Sequence, residues 1–206
     1  MKRKTFDMIL TAGGGVLVLV LLAAGSLGLW GYSFANSNVH NQLAQQNITF
    51  PPKAAFDHAK AGTEITPGMI PYLAKYAGQQ LVTGQQAEAY ADHFIAVHLQ
   101  AIGHGQTYAQ VSGAAQSLPK GSAAYAAKEA QAQTIFQGTT LRGLLLEAYA
   151  FWTMGQIALW AAVVSFVLAG VMLLLTVLGL VHLRRVPQEQ EFPNRTNARV
   201  ETLATV

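Results

Sequence analysis

Between Glu147 and Arg184 the chain has no Asp, Glu, Lys or Arg, and from Ile157 to Val181 its only polar side chains are Ser165 and Thr176. About 20 apolar residues rising 1.5 Å each cross a hydrocarbon core of about 30 Å, so this stretch predicts a membrane-spanning helix. The wider segment, residues 140–185, frames the rest of the chain. A continuous helix over residues 141–183 would be about 64 Å long, roughly twice the hydrocarbon core, so its first half must stand outside the bilayer. Tyr149, Trp152 and Trp160 then bracket the outer interface, and Arg184 with Arg185 marks the inner one.

A second apolar run covers residues 8–31. Lys2, Arg3 and Lys4 precede it, and Trp30, Tyr32 and Phe34 lie at its far end, where aromatic rings favour the boundary between lipid and water. The alternative is a cleaved signal peptide, with Ser33-Phe34-Ala35 as a small-x-small site. An apolar core of about 20 residues exceeds the usual 7 to 15 of such peptides and favours an uncleaved anchor. Gly13 to Gly15, and Ala24 with Gly28, offer small surfaces against which another helix can pack.

The charge balance agrees with this frame. Of 13 basic residues, three precede the first run and four follow the second; the segment between holds six, matched by six acidic ones. The basic excess therefore sits at the ends, and the central segment lacks the electrostatic footprint of a nucleic-acid binder. There is no cysteine, which removes disulfides, thiolate metal sites and a Cys nucleophile together. With 206 residues there is room for two spans and one small domain.

Residues 33–46 are polar, with Val39 and Leu43 spaced by four, so the first helix is expected to project beyond the membrane. Ile48-Thr49-Phe50-Pro51-Pro52 reads as extended chain, because proline disfavours helix at itself and before itself. A helix of about 15 residues is expected from Thr66-Pro67 or Pro71 to Val82. Thr83-Gly84-Gln85-Gln86 and Thr107-Tyr108-Ala109-Gln110 both fit capping boxes. Between them Ala91, Phe94, Ile95, His98, Leu99 and Ile102 follow the helical period, and Gly103 and Gly105 end that helix. Ser122 is expected to cap an alanine-rich helix that Gly138 terminates. No segment alternates with a strand period over enough residues to compete.

Few side chains invite chemistry. His98, on an apolar helix face between Phe94 and Ile102, reads as a packed histidine bonded to a carbonyl rather than a ligand or proton carrier. His93 and His98 are five apart, which misses the HxxxH geometry of a helical metal site. Glu88 and Asp92 share a face at i, i+4, but a hard cation takes more oxygen ligands than two, so a solvated acidic edge is the simpler reading. Arg142 lies among leucines in TLRGLLLEAYAFW, and a guanidinium near apolar surface needs a carboxylate. The expected partner is Asp92 or Glu88. The competing reading leaves the Arg142 head group in water. No catalytic, cofactor-binding or metal-ligating set is assigned, and no cofactor is expected.

The segments WGYSFANSNVHNQLAQQNITFPP, TGQQAEAYADHFIAVHL and FQGTTLRGLLLEAYAFWTMGQIA resemble a group of actinobacterial two-span membrane proteins of unknown function. The likeness covers the first span, the domain after it and the start of the second span. Members of that group often carry the name of an aromatic ring-opening dioxygenase, an activity that uses Fe(II) held by two histidines and a carboxylate. The six histidines here, His40, His58, His93, His98, His104 and His182, show no such set in the sequence, which gives the label no support.

The expected architecture is an all-α membrane protein in which two transmembrane helices flank an extracytoplasmic helical bundle. Its parts are a cytoplasmic N-terminus (1–7), a first span (8–31), an outer domain (32–153), a second span (154–183) and a disordered cytoplasmic tail (184–206). The expected role is a non-enzymatic accessory or assembly subunit in the plasma membrane, meeting the lipid bilayer and a membrane-protein partner through its spans or outer domain. A ligand-sensing ectodomain with a separate cytoplasmic partner is the alternative, and a membrane-anchored dioxygenase-like enzyme the second alternative.

Overall fold

The structure, a computed structural model, describes residues 3–185. The expectations for Lys2 and for the tail from Val186 lie outside these residues. Among the described residues there are seven α-helices: α1 (Arg3–Gln46), α2 (Lys53–Asp57), α3 (Ile70–Leu73), α4 (Gly84–Tyr90), α5 (Ala96–Gly103), α6 (Tyr108–Gln116) and α7 (Ala123–Arg185). Short 3₁₀ turns flank α3, a π-helical turn, Ala91–Ile95, joins α4 to α5, and a single isolated bridge pairs Thr49 with Gln80.

The chain divides into two compact units. One comprises Met1–Trp30 and Ala158–Val206, which contain the apolar runs of α1 and α7. Both helices are long and apolar enough to cross a membrane, and only 11% of either apolar window is buried. That low figure separates them from the core helix of a soluble protein, whose apolar side chains turn inward. Leu19, Leu27, Leu174 and Leu178 are all more than 60% exposed.

Within this unit the two helices run antiparallel and touch through small residues. A Cβ built on Gly179 falls 3.6 Å from Thr11 Cβ, one on Gly14 3.8 Å from Thr176 Cβ, and one on Gly28 3.0 Å from Ala162 Cβ. Gly25 receives the ring of Phe166. The seam of α1 thus contains Gly14, Val18, Gly25 and Gly28, a spacing near 3.5 residues per turn that keeps one face toward a neighbouring helix. Of the glycine triplet only Gly14 meets the other helix; Gly13 and Gly15 face open space, and Gly25 rather than Ala24 lies in the seam.

The second unit, Gly31–Ile157, contains a helical bundle. Val39 and Leu43 of α1 and Leu145 of α7 pack with Phe50, Phe56, Ile65, Met69, Leu73, Leu81 and Ile95 in its main core. A smaller cluster joins Val111 of α6 to Ala132 and Ile135 of α7. The helix expected from residue 66 to Val82 stops at Tyr76. Gly78 takes a left-handed turn (φ +70°), and the chain then runs extended so that Phe50 N–H donates to Gln79 O and Leu81 N–H to Ile48 O. Phe50 and Leu81, 1% and 0% exposed, both enter the main core from this extended segment.

Gly138 also departs from expectation. Ser122 Oγ does cap α7 by accepting from Tyr125 N–H, but the helix continues through Gly138 to Arg185. A Cβ at Gly138 would lie 2.5 Å from Leu99 Cδ2, so this glycine admits a neighbouring leucine instead of ending the helix.

Both capping boxes form, in different surroundings. Gln86 is 5% exposed; its Oε1 accepts from Val82 N–H and Thr83 N–H, and its Nε2 donates to Gln79 Oε1. Gln110 makes the equivalent bond to Thr107 N–H at the surface. Removing an acceptor is costly only where water cannot replace it. Gln86→Ala is therefore expected to cost about 2 kcal/mol or more and Gln110→Ala about 0.5 kcal/mol, read by thermal unfolding of the two variants in the same detergent.

Candidate functional site

Two of the charged side chains singled out in the sequence, Arg142 and Asp92, meet. Arg142 Nη2 donates to Asp92 Oδ1 at 2.6 Å, joining α7 to the π-helical turn. Glu88, one turn earlier on α4, makes no ion pair with Arg142. The pair is open to solvent, with 39% of the Arg142 side chain and 35% of the Asp92 side chain exposed. Its Arg142 Nε is buried without a hydrogen-bond partner, which offsets part of what the ion pair contributes.

Water screening and this orphaned donor both argue for a small coupling. A double-mutant cycle on Asp92→Asn and Arg142→Gln is expected to return about 0.2–1 kcal/mol. A coupling several times larger would mean that the contact is shielded from water far better than its exposure indicates.

The π turn has a second consequence. Its wider turn advances the register by one residue, so the periodicity read across residues 91–102 does not carry through on one face. Ala91 and Ile95 are buried, whereas Ile102 is 38% exposed. His98 is half-buried; its Nδ1 lies 2.7 Å from the Phe94 carbonyl. A carbonyl only accepts, so Nδ1 carries the proton in that contact. His93 stacks on the Tyr72 ring, with centroids 3.4 Å apart and planes 6° from parallel.

Tyr90 stacks on Phe94 and meets the edge of Phe50. Burial, and secondarily the Glu64 carboxylate, push its phenol above the ordinary value, so it stays neutral at physiological pH. Among the described residues no three His, Asp or Glu side chains converge to hold a metal ion.

A concavity of about 530 Å³ lies elsewhere, along residues 34–46 of α1 and 141–154 of α7 within the bundle unit. Val39, Leu43 and Leu145, each no more than 4% exposed, form its floor. Leu141, Leu144, Phe151 and Met154 give α7 an apolar wall, and Asn38, Gln42 and Gln46 give α1 a polar one. Glu147 supplies the one formal charge in the lining, and Arg142 is not part of it. The signal for this groove was present as the Asn38, Gln42, Gln46 spacing opposite the leucines of α7, but it becomes a site only once the two helices lie side by side.

Comparison with protein-family models, with curated proteins and with solved structures finds no match to this chain.

Proposed function

We propose that the protein is a two-span integral membrane protein of the cell envelope, with both termini cytoplasmic and the helical unit Gly31–Ile157 outside. In this reading it serves as a non-enzymatic accessory or assembly subunit of a membrane complex. The observation that carries the membrane reading is the exposure of both apolar windows, whose leucines and valines face outward around a seam of small residues. In water such a surface would be a liability; in lipid it is the natural exterior. Orientation follows from Lys4 before the first run and Arg184 and Arg185 after the second, by the positive-inside rule.

The non-enzymatic part is supported by how the candidate side chains are engaged. Asp92 is tied to Arg142, His98 to the Phe94 carbonyl, His93 to the Tyr72 ring and Gln86 to a helix start. The Asp92 and His93 contacts join separate elements, Gln86 caps a helix, and His98 bonds back along its own helical run. These contacts spend on architecture the groups that a catalytic site would turn toward a substrate.

Two measurements test the reading. The protein is expected in the membrane fraction after alkaline carbonate washing, with reporters fused at either terminus active only in the cytoplasm. Affinity purification of the full chain in mild detergent, followed by mass spectrometry, is expected to recover a membrane-protein complex. Recovery of the chain alone would remove the accessory role while leaving the membrane assignment standing.

A further inference from the structure

Where α1 begins and α7 finishes, the seam of the first unit contains a carboxylate. Asp7 immediately precedes the first apolar run, and its Oδ2 is buried without a hydrogen-bond partner. A carboxylate oxygen taken out of water costs free energy unless a donor or a cation meets it. Thr11, one turn on, does not supply the donor, because its hydroxyl donates to the Asp7 backbone carbonyl at 2.7 Å. The Thr176 hydroxyl likewise donates to Met172 O. Among the described residues the one basic group within 4 Å of Asp7 is His182, whose Nε2 lies 3.9 Å from Oδ2. That separation is about 1 Å longer than a charge-assisted N–H···O bond. Asp7 opposite His182, Thr11 opposite Gly179 and Gly14 opposite Thr176 are successive rungs of one antiparallel pairing, so the unmet oxygen sits at its last rung. The imidazole is 55% exposed and can exchange protons with the solution.

We infer that Asp7 and His182 form a proton-operated latch between α1 and α7. With the proton held, an imidazolium faces the carboxylate, the bond closes and the two helix ends are drawn together. With the proton lost, a neutral imidazole faces a buried anion and the ends part. Histidine changes its charge between about pH 5 and 8, so the latch is closed on the acid side of that range and opens as pH rises through it. The other charged residues at this end are Arg3 and Lys4 on α1 and Arg184 and Arg185 on α7. Arginine and lysine side chains do not titrate in this range, so the Asp7–His182 pair alone supplies the change. The latch needs only the pairing of α1 and α7 within one unit. Which compartment it senses rests on the proposed orientation, which places this end in the cytoplasm.

Spin labels on Leu10→Cys and Leu180→Cys test it. Both positions are exposed, at 66% and 50%; each is next to a member of the Thr11–Gly179 contact, and the chain has no other cysteine. In the full chain in nanodiscs, the distance distribution by double electron–electron resonance is expected to be short and narrow at about pH 5.5 and to lengthen and broaden at about pH 8. His182→Lys, a cation at both pH values, is expected to keep the narrow distribution throughout; His182→Gln and Asp7→Asn are expected to give the broad one throughout. Labels on Leu27→Cys and Val163→Cys, beside the Gly28–Ala162 contact, are expected to show no pH response in any of these chains. An unchanged Leu10–Leu180 distribution in the unsubstituted background overturns the latch, as does a response that survives His182→Gln. An equal response at Leu27 and Val163 also overturns it, by assigning the change to the whole helix pair. Because His182 is exposed, His182→Gln and His182→Lys decide the matter even where Asp7→Asn fails to fold. Failure of the orientation is distinct: the terminal reporters would then lie outside while the labels still respond to pH.

Discussion

Phe50→Ala is expected to destabilise the bundle unit by about 3–5 kcal/mol, the range for deleting a fully buried aromatic ring. Phe50 is 1% exposed and packs its ring against Tyr76 at 5.1 Å and edge-on against Tyr90 at 5.3 Å. It also stands where the chain leaves α1, with its N–H bonded to Gln79 O, so the side chain and the backbone pin the same crossing. Loss of the ring leaves a cavity that the prolines after it, Pro51 and Pro52, cannot relax to fill, because their φ angles are fixed. For a protein of this size each kcal/mol lowers the melting temperature by about 2–4 °C, so the expected fall is roughly 6–20 °C. Phe136→Ala is the control. Phe136 is 49% exposed and meets only the similarly open Tyr108 ring in an aromatic contact, so its loss is expected to cost under about 1 kcal/mol. Thermal unfolding followed by near-ultraviolet circular dichroism separates the two; equal melting temperatures would place the core somewhere other than around Phe50.

The parts of this fold that were legible in the sequence are those decided locally. A capping box is a four-residue contract between a threonine oxygen, a glutamine side chain and two amides, and both form where Thr83 and Thr107 signal them. The apolar runs are equally local, because length and composition alone determine whether a helix can cross lipid. What failed depended on neighbours far along the chain. Gly138 carries the same terminator signal whether or not Leu99 packs against it, and the tertiary contact decides that the helix continues. Gly78 turns the chain because Gln79 and Leu81 find partners at Phe50 and Ile48, about thirty residues away. For Arg142 the sequence offers two acids one turn apart. The π turn, which has no simple sequence signature, contains the one that meets the guanidinium. The groove is the extreme case, since its two walls are separated by about a hundred residues.

Gly14→Cys combined with Thr176→Cys is expected to form an intramolecular disulfide on mild oxidation of the purified protein. The chain has no cysteine of its own, so any cross-link reports the engineered pair. A Cβ at Gly14 lies 3.8 Å from Thr176 Cβ, the mean separation across a disulfide, and the Thr176 hydroxyl that would otherwise crowd it is removed by the substitution. Gly13→Cys with Thr176→Cys is the control for register. Gly13 is about 100° around the helix and has nothing within 4 Å, so the same chemistry is expected to leave that chain uncross-linked. Gly28→Leu supplies the mechanical test, because a Cβ there already falls 2.9 Å from the Ala158 carbonyl oxygen and backbone cannot move aside as a flexible side chain can. In lipid no hydrophobic drive restores a separated pair, since a leucine satisfied by acyl chains gains little by returning to another helix. Added to the Gly14→Cys, Thr176→Cys chain, Gly28→Leu is therefore expected to abolish most of the cross-link while leaving helix content by circular dichroism unchanged. Cross-linking only between chains would show instead that the small-residue faces of α1 and α7 are used by different molecules, and that close approach, rather than the antiparallel pairing within one chain, is the property those glycines provide.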